Sequence, residues 1–377
     1  MKVLREISRY LVAAVFLFSG FVKGVDPLGT AYRLEDYFIA YGTSWADPLA
    51  LFLSIALSTA EFVIGASLLL NIRMKFMSWA LLIMMLFFTF LTLFDAVYEP
   101  VSDCGCFGDA IKMTNWQTFY KNIVLLVFTL IVFRGRKLFR SGMKPASQMI
   151  VLLMVLSGFV WFSVYNFRHL PMIDFMDWKI GRDMTPDQNQ TETLVYLTFK
   201  NKETGQTNEY LSPNYPWNDS VWMTQWDFVD QRIVVLGESI QHGLYAEDDN
   251  GNDVTLMLID NSDLVFVVVS YDFSLVSSKA IRALELLSKE LNLRNIDMAL
   301  LTSSLPEEVT GLLDDYNLSL DVYYADEVVL KTMVRANPGL IAFREGVVHG
   351  KWHYHDFPHA HKLDKLLEVV NNQNQTE

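Results

Sequence analysis

The only two cysteines of this 377-residue chain stand one residue apart, in "DCGCFGD" at residues 103–109. A bond between Cys104 and Cys106 closes almost no loop, so it adds little stability by restricting the unfolded chain. What such spacing offers is chemistry. Gly105 supplies the backbone freedom that a small bent ring needs. Departure from relaxed disulfide geometry makes a bond more reducible. A reducible bond suits exchange, in which a thiolate attacks and a mixed disulfide forms. Three readings stand at this point: thiol–disulfide exchange, an inert structural pair and metal ligation. Two thiolates alone are too few for a closed tetrahedral zinc site. Asp103 marks an exposed loop edge, which favours Cys104 as the partner-facing sulfur, although a neighbouring carboxylate works against thiolate formation.

Three ionisable side chains fall in otherwise apolar stretches, where charge is expensive and function is the default hypothesis. Glu61, in "STAEFVIGASLL", sits about midway along the second apolar stretch, Lys23, in "FSGFVKG", ends the first, and Asp95 stands just before the cysteine segment. Glu61 either pairs with Lys23, if their helices face one another, or carries protons. The alternative for Lys23 and Asp95 is that they simply reach the interface. Five of the seven histidines crowd into "HGKWHYHDFPHAH", namely His349, His353, His355, His359 and His361. On a strand, His353 and His355 would share a face, a plausible metal arrangement set against a solvated, His-rich edge. No metal site is assigned there.

The elements that must hold these groups are of two kinds. Residues 1–166 carry 14 Lys and Arg against 10 Asp and Glu, whereas residues 167–377 carry 16 against 33. An apolar, mildly basic half followed by an acidic one reads as a membrane anchor plus an exposed domain. The acidic balance excludes nucleic acid as a partner, because a phosphate backbone needs a basic face. Five stretches approach the roughly 20 residues a spanning helix requires: 7–25, 48–70, 76–98, 116–133 and 148–167. The first lacks a cleavage site and runs into Lys23, so it reads as a retained helix rather than a signal peptide.

Loop charges orient the spans. Lys2, Arg5 and Arg9, then Arg73 and Lys75, then Arg134, Arg136, Lys137, Arg140 and Lys144 mark one side. The alternate loops are acidic, with Asp26, Glu35, Asp36 and Asp47 in one and Glu99, Asp103 and Asp109 in the other. Positive residues stay inside. The expectation is a multi-pass protein of a bacterial inner membrane with a cytoplasmic amino terminus. Its cysteine loop and acidic domain then face an oxidising periplasm.

Beyond the last span, Phe175 and Trp178 suit interfacial anchoring. Residues 191–245 read as β-rich, with a hairpin around "KETGQ". From 255 onward, buried strands such as "DLVFVVVS" alternate with amphipathic helices such as "SSKAIRALELLSKELNL", and a hairpin and a last helix close the order. That pattern indicates a central sheet covered by helices. The domain plan is therefore 1–135 for a four-helix membrane domain, 136–170 for a basic loop and fifth helix, 171–250 for a β-rich extension, and 251–377 for an α/β domain.

The segments "FLFSGFVKGVDPLG", "AEFVIGASLLL" and "DCGCFGDAIKMTNWQTFYKN" resemble the DoxX/MauE group of redox-associated membrane proteins over roughly residues 5–135. The resemblance implies a four-helix core similar in architecture to DsbB and vitamin K epoxide reductase. It also implies a membrane quinone near Glu61 and a role in disulfide chemistry or maturation of exported proteins. Those two relatives use two cysteine pairs; this chain has one. The order after residue 235 resembles thioredoxin-like domains of the TlpA type, and "RANPGLIAFREGVVHGKW" is similar to the segment in which a cis-proline, here Pro338, precedes a hairpin. Where such domains carry C-x-x-C, this chain has "YDFSLVSS", with Ser274, Ser277 and Ser278. That domain is expected to hold a partner without reacting, through Tyr271, Asp272, Phe273 and Pro338.

The functional expectation is a membrane thiol–disulfide component that exchanges electrons between Cys104–Cys106 and an exported protein, with a quinone near Glu61 and supporting roles for Lys23 and Asp95. The alternative is a non-enzymatic membrane-anchored scaffold or assembly factor. A transporter is weaker, because five spans with so few polar groups offer little for a solute pathway.

Overall fold

A computed structural model describes residues 2–101, 105–185, 192–202, 204–211, 216, 220–236, 243–316 and 318–373. Its amino-terminal region is helical: α1 (Lys2–Val25), α2 (Pro27–Ala40), α3 (Ala50–Leu70), α4 (Met74–Tyr98), α5 (Asn115–Gly135) and α6 (Pro145–Arg168). Five of these are long and apolar enough to cross a membrane: α1, α3 with the turn before it, α4, α5 and α6. Each predicted span lies largely within one of them, and the chain reads as a multi-pass membrane protein. The sixth helix, α2, corrects the expectation of an acidic loop between the first two spans. Asp26 accepts from the Gly29 N–H at 2.8 Å, and Pro27 takes the first helical position. This is a strong start signal, because the cap satisfies an orphan donor and proline brings a helical φ.

Helices α1 and α3 form the most extensive pairing in the bundle. Small residues permit it. A methyl group on Gly20 would stand 2.7 Å from the Phe62 nitrogen and 2.8 Å from the Ser58 carbonyl oxygen. One on Gly65 would stand 2.8 Å from the Leu17 nitrogen. Backbones this close are the packing mode of helices in lipid, where apolar area alone drives no association. Below the contact, Val12, Ala13, Phe16, Ile64, Leu68 and Leu81 belong to the bundle core. At the far end, Arg9 donates to the Leu68 carbonyl at 2.6 Å, satisfying a free carbonyl at the end of α3.

The carboxyl-terminal region is built on sheets. A small antiparallel sheet, ordered β2-β1-β3, comprises β1 (Glu192–Asn201), β2 (Thr207–Leu211) and β3 (Trp226–Leu236), with α7 (Ser220–Gln225) before β3. After α8 (Thr255–Ile259) comes β4 (Val265–Ser270), then α9 (Ser278–Asn292), β5 (Met298–Thr302), α10 (Pro306–Asp315), β6 (Asp321–Tyr324) and α11 (Glu327–Met333). The hairpin of β7 (Gly339–Arg344) and β8 (Val347–His353) precedes α12 (Ala360–Gln373). The five strands order as β6-β5-β4-β7-β8. β4, β5 and β6 are parallel, and β7 and β8 run antiparallel to their neighbours. Every residue of β4 is buried, as a strand covered on both faces must be.

Two apolar clusters lie on the two faces of this sheet. One gathers Leu284, Leu287 and Leu291 of α9 with Val309 and Leu363; the other gathers Leu330, Met333 and Val334 around the α11 end. Trp178 belongs to the second. It is 1% exposed and meets Phe343 edge-on at 5.9 Å. The expected interfacial anchor is therefore a core residue, because the segment after α6 folds back under the sheet, where Asp183 bridges Val347.

Candidate functional site

The site sits where α1 and α3 converge with the cysteine loop. Ser19 and Lys23 are four apart on α1 and so share a face, and the Gly20 contact brings that face against Glu61 on α3. Lys23 Nζ donates to Glu61 Oε1 at 2.7 Å, with the two residues 5% and 3% exposed. A pair this buried survives only with further hydrogen bonding, and Ser19 supplies it. Its hydroxyl lies 2.8 Å from Glu61 Oε2 and 2.7 Å from the Cys106 carbonyl oxygen. One hydroxyl proton thus faces two acceptors, tying the intramembrane ion pair to the backbone of the cysteine segment.

Cys106 is half-buried. Cys104, and with it the predicted disulfide, lies outside the described residues. Around Cys106 the chain turns through Gly105 and Gly108, both at positive φ (59° and 53°), a conformation that glycine adopts without penalty. Phe107 seats the turn on the bundle: its ring meets Phe18 at 5.3 Å, and Lys121 of α5 lies 4.3 Å over it. α5 starts cleanly after the loop, since Thr114 and Gln117 close a capping box. Asp109 accepts from Arg33 of α2 at 2.6 Å.

Two cavities meet at Lys23, Phe88 and Cys106. The smaller, about 30 Å³, touches Ser19, Glu61 and Asn122 and has room for about one water. The larger, about 320 Å³, has apolar walls that include Leu34, Phe38, Leu57 and Phe87, and Lys23, Thr30, Arg33, Tyr37 and Cys106 also line it. That volume falls within the roughly 300–1,000 Å³ of small-molecule sites. Glu61, expected beside any quinone, lines only the smaller space. Asp95 lines neither. It is fully buried and accepts from the Tyr37 hydroxyl at 2.7 Å, so it reaches the larger cavity only through that ring, which the sequence had no means of indicating.

The carboxyl-terminal groups fall in several places. Tyr271 meets Tyr32 of α2 at 6.0 Å edge-on, with Lys331 over both rings, and burial raises both phenol pKa values. Asp272 accepts from the Ser274 hydroxyl at 2.6 Å, and its carbonyl accepts from Asn337 at 2.7 Å. Phe273 is 1% exposed in the sheet core, so its ring offers no docking surface. Pro338 is buried and follows a cis peptide bond. The face expected to receive a partner thus already lies against this chain's own α2.

The histidine segment is arranged otherwise than alternation predicts. β8 ends at His353, leaving His355 in the turn, where its Nδ1 lies 2.8 Å from the Arg168 carbonyl. His169 Nδ1 lies 2.6 Å from Asp356. Burial, then His355, lowers the His353 pKa to about 4. Among the described residues no group of three or more His, Cys, Asp or Glu is placed to hold a metal ion.

No curated protein and no solved structure matches the chain. A family model does match, described as methylamine utilisation protein MauE, over residues 1–135. The matched stretch ends with α5, so the part of this protein that is similar to the MauE membrane family is the part that builds the Lys23–Glu61 pair and the cysteine loop.

Proposed function

We propose that the protein is a membrane thiol–disulfide component whose Cys104 and Cys106 exchange electrons with an exported protein. The observation that carries this reading is the hydrogen-bonded run from Lys23 through Glu61 and Ser19 to the Cys106 backbone, at the meeting point of two cavities. When the reduced pair closes to a disulfide it releases two electrons and two protons; when a partner dithiol reopens it through a mixed disulfide, both return. Glu61 and Ser19 are the groups beside Cys106 that can pass a proton, and Lys23 holds the carboxylate in place.

The larger cavity fits a quinone: its walls are largely apolar, and Lys23, Arg33 and Tyr37 line it together with Cys106. Leu34, Phe38 and Phe87 would hold the apolar body, and Lys23, Arg33 and Tyr37 the oxygens. A quinone bound there supplies a two-electron, two-proton acceptor. The strand order β6-β5-β4-β7-β8 and the position of Pro338 ahead of β7 support a thioredoxin-like domain that lacks sulfur chemistry. The alternating loop charges support a cytoplasmic amino terminus with loop and domain in the periplasm of a bacterial inner membrane.

The test is trapping in whole membranes. Cys106→Ala accumulates a mixed disulfide through Cys104, or Cys104→Ala does so through Cys106, and quinone depletion leaves the wild-type pair reduced. Absence of adducts in both single variants, with function intact in the double variant, decides for a scaffold.

A further inference from the structure

Arg335 lies in the turn between α11 and β7, and its side chain is 8% exposed. Its Nε donates to Asp26 Oδ2 and its Nη2 to Asp109 Oδ2, both at 2.9 Å. Nη1 donates to the Lys331 carbonyl at 2.5 Å, and the Met176 sulfur stands 3.2 Å from Nη2. Asp26 and Asp109 are themselves 11% exposed. Each has a second duty. Asp26 caps α2, and Asp109, three residues after Cys106, is also held by Arg33. One guanidinium of the α/β domain therefore grips both the start of α2 and the cysteine loop. A planar fork is suited to bridging two carboxylates, whereas a lysine offers only a point charge. Lys331 extends the seam, standing 3.8 Å from Glu35 of α2.

We infer that Arg335 is a positioning residue for Cys106: through Asp109, the α/β domain holds the turn at 105–110 against the bundle, and a partner reaches Cys106 only when that grip opens. Domain docking and sulfur exposure are then linked, and the linkage is reciprocal. Whatever seats the domain protects the sulfur, and whatever engages the sulfur loosens the domain. The inference takes the proposed exchange reaction as its setting, since a sulfur that never reacts needs no control of access.

The test uses the full-length protein in membrane vesicles of accessible orientation, in a Cys104→Ser background so that one thiol is read. An impermeant maleimide reports the labelling rate of Cys106. Arg335→Gln and Asp109→Asn each accelerate labelling between about 5- and 150-fold, the range of ordinary inter-site coupling. The double variant labels within about twofold of the faster single, because both break the same Arg335–Asp109 ion pair, and Arg335→Lys falls between wild type and Arg335→Gln. Leu284→Ala, in the sheet core away from the seam, lowers the melting temperature and leaves labelling unchanged. Unchanged rates in both single variants, multiplicative rates in the double, or equal acceleration by Leu284→Ala each overturn the inference. The redox reading fails separately. A wild-type pair that forms no adduct and ignores quinone depletion sinks it even if labelling behaves as stated, whereas flat labelling in a pair that does exchange sinks only the grip.

Discussion

Removing one member of the Lys23–Glu61 pair should cost far more than removing both. The carboxylate and ammonium are 2.7 Å apart and nearly inaccessible. Glu61→Leu removes the carboxylate to which Lys23 donates, and Lys23→Met leaves a buried carboxylate beside the Ser19 hydroxyl. Each single change should destabilise the bundle by about 3–5 kcal/mol, the loss seen when a buried charge is stranded. The double variant Lys23→Met with Glu61→Leu replaces the pair by apolar groups of similar volume, and such replacements are neutral or stabilising by about 1–4 kcal/mol. The coupling between the two changes, the double loss minus the sum of the single losses, is thus at least about 6 kcal/mol, large enough to measure by denaturant unfolding of purified protein in detergent. Exchange at Cys106 should respond differently. The proposed proton path runs through Glu61, so the double variant regains stability but stays slow in oxidation of the pair. Two outcomes refute the reasoning. Additive stability losses would mean that the two charges do not form one unit, and a double variant that oxidises at the wild-type rate would leave the pair with a packing role alone.

Three further outcomes follow from the same geometry. Trp178→Ala should destabilise the α/β region by about 3–5 kcal/mol, as truncation of a buried aromatic does, while membrane association is unchanged; loss below about 1 kcal/mol would return Trp178 to the interface. Gly20→Ala places a methyl within 3 Å of the α3 backbone, so it should part α1 from α3 and slow oxidation of the cysteine pair more than Gly158→Ala, where the space is open. For His353, the folded pKa of about 4 lies below the ordinary 6.5. The unfolded chain therefore binds the extra proton between those values, so stability is full above pH 6.5 and falls as pH drops toward 4, by at most about 3 kcal/mol. Thermal melts of wild type against His353→Gln should show the slope flattening in the variant, with His169, His355 and Asp356 left in place.

Much of the architecture was legible because it rests on local pattern. Twenty-residue apolar runs, the continuous β-branched stretch of β4 and the leucine spacing of α9 each specify an element without reference to its neighbours. Helix α2 is hidden from a charge count because its acids read equally well as loop charge, although Asp26–Pro27 announces a cap and a first turn. Trp178 is ambiguous in the sequence because an aromatic next to a membrane span suits the interface equally well; the return of residues 171–185 under the sheet decides for the core. Glu61 and Lys23 stood out as charges in apolar surroundings, yet Ser19 did not, since a serine in a membrane helix carries no signal until its neighbours are known. Arg335 was the least legible of all. It meets Asp26 across 309 residues, and periodicity says nothing about which of 30 cations finds which of 43 acids.

A single cysteine pair sets a constraint that two-pair systems avoid. If one pair must meet both an exported protein and a membrane acceptor, the same sulfurs have to be approached from two directions. The bundle offers one approach, through the cavity shared by Lys23, Tyr37 and Cys106. The other lies on the loop side, where Asp109 is held by Arg33 and Arg335. On the inferred grip, an external thiolate is kept from Cys106 while that hold is closed. Once it opens, the loop is free to meet a partner, and the Ser19 contact that ties Cys106 to Glu61 is the one that must yield. On the proposed reading the α/β domain stands in for a second pair: it separates in time two encounters that a two-pair system separates in space. A domain without cysteines suits that proposed task, because a reactive sulfur at the same seam would compete with Cys106.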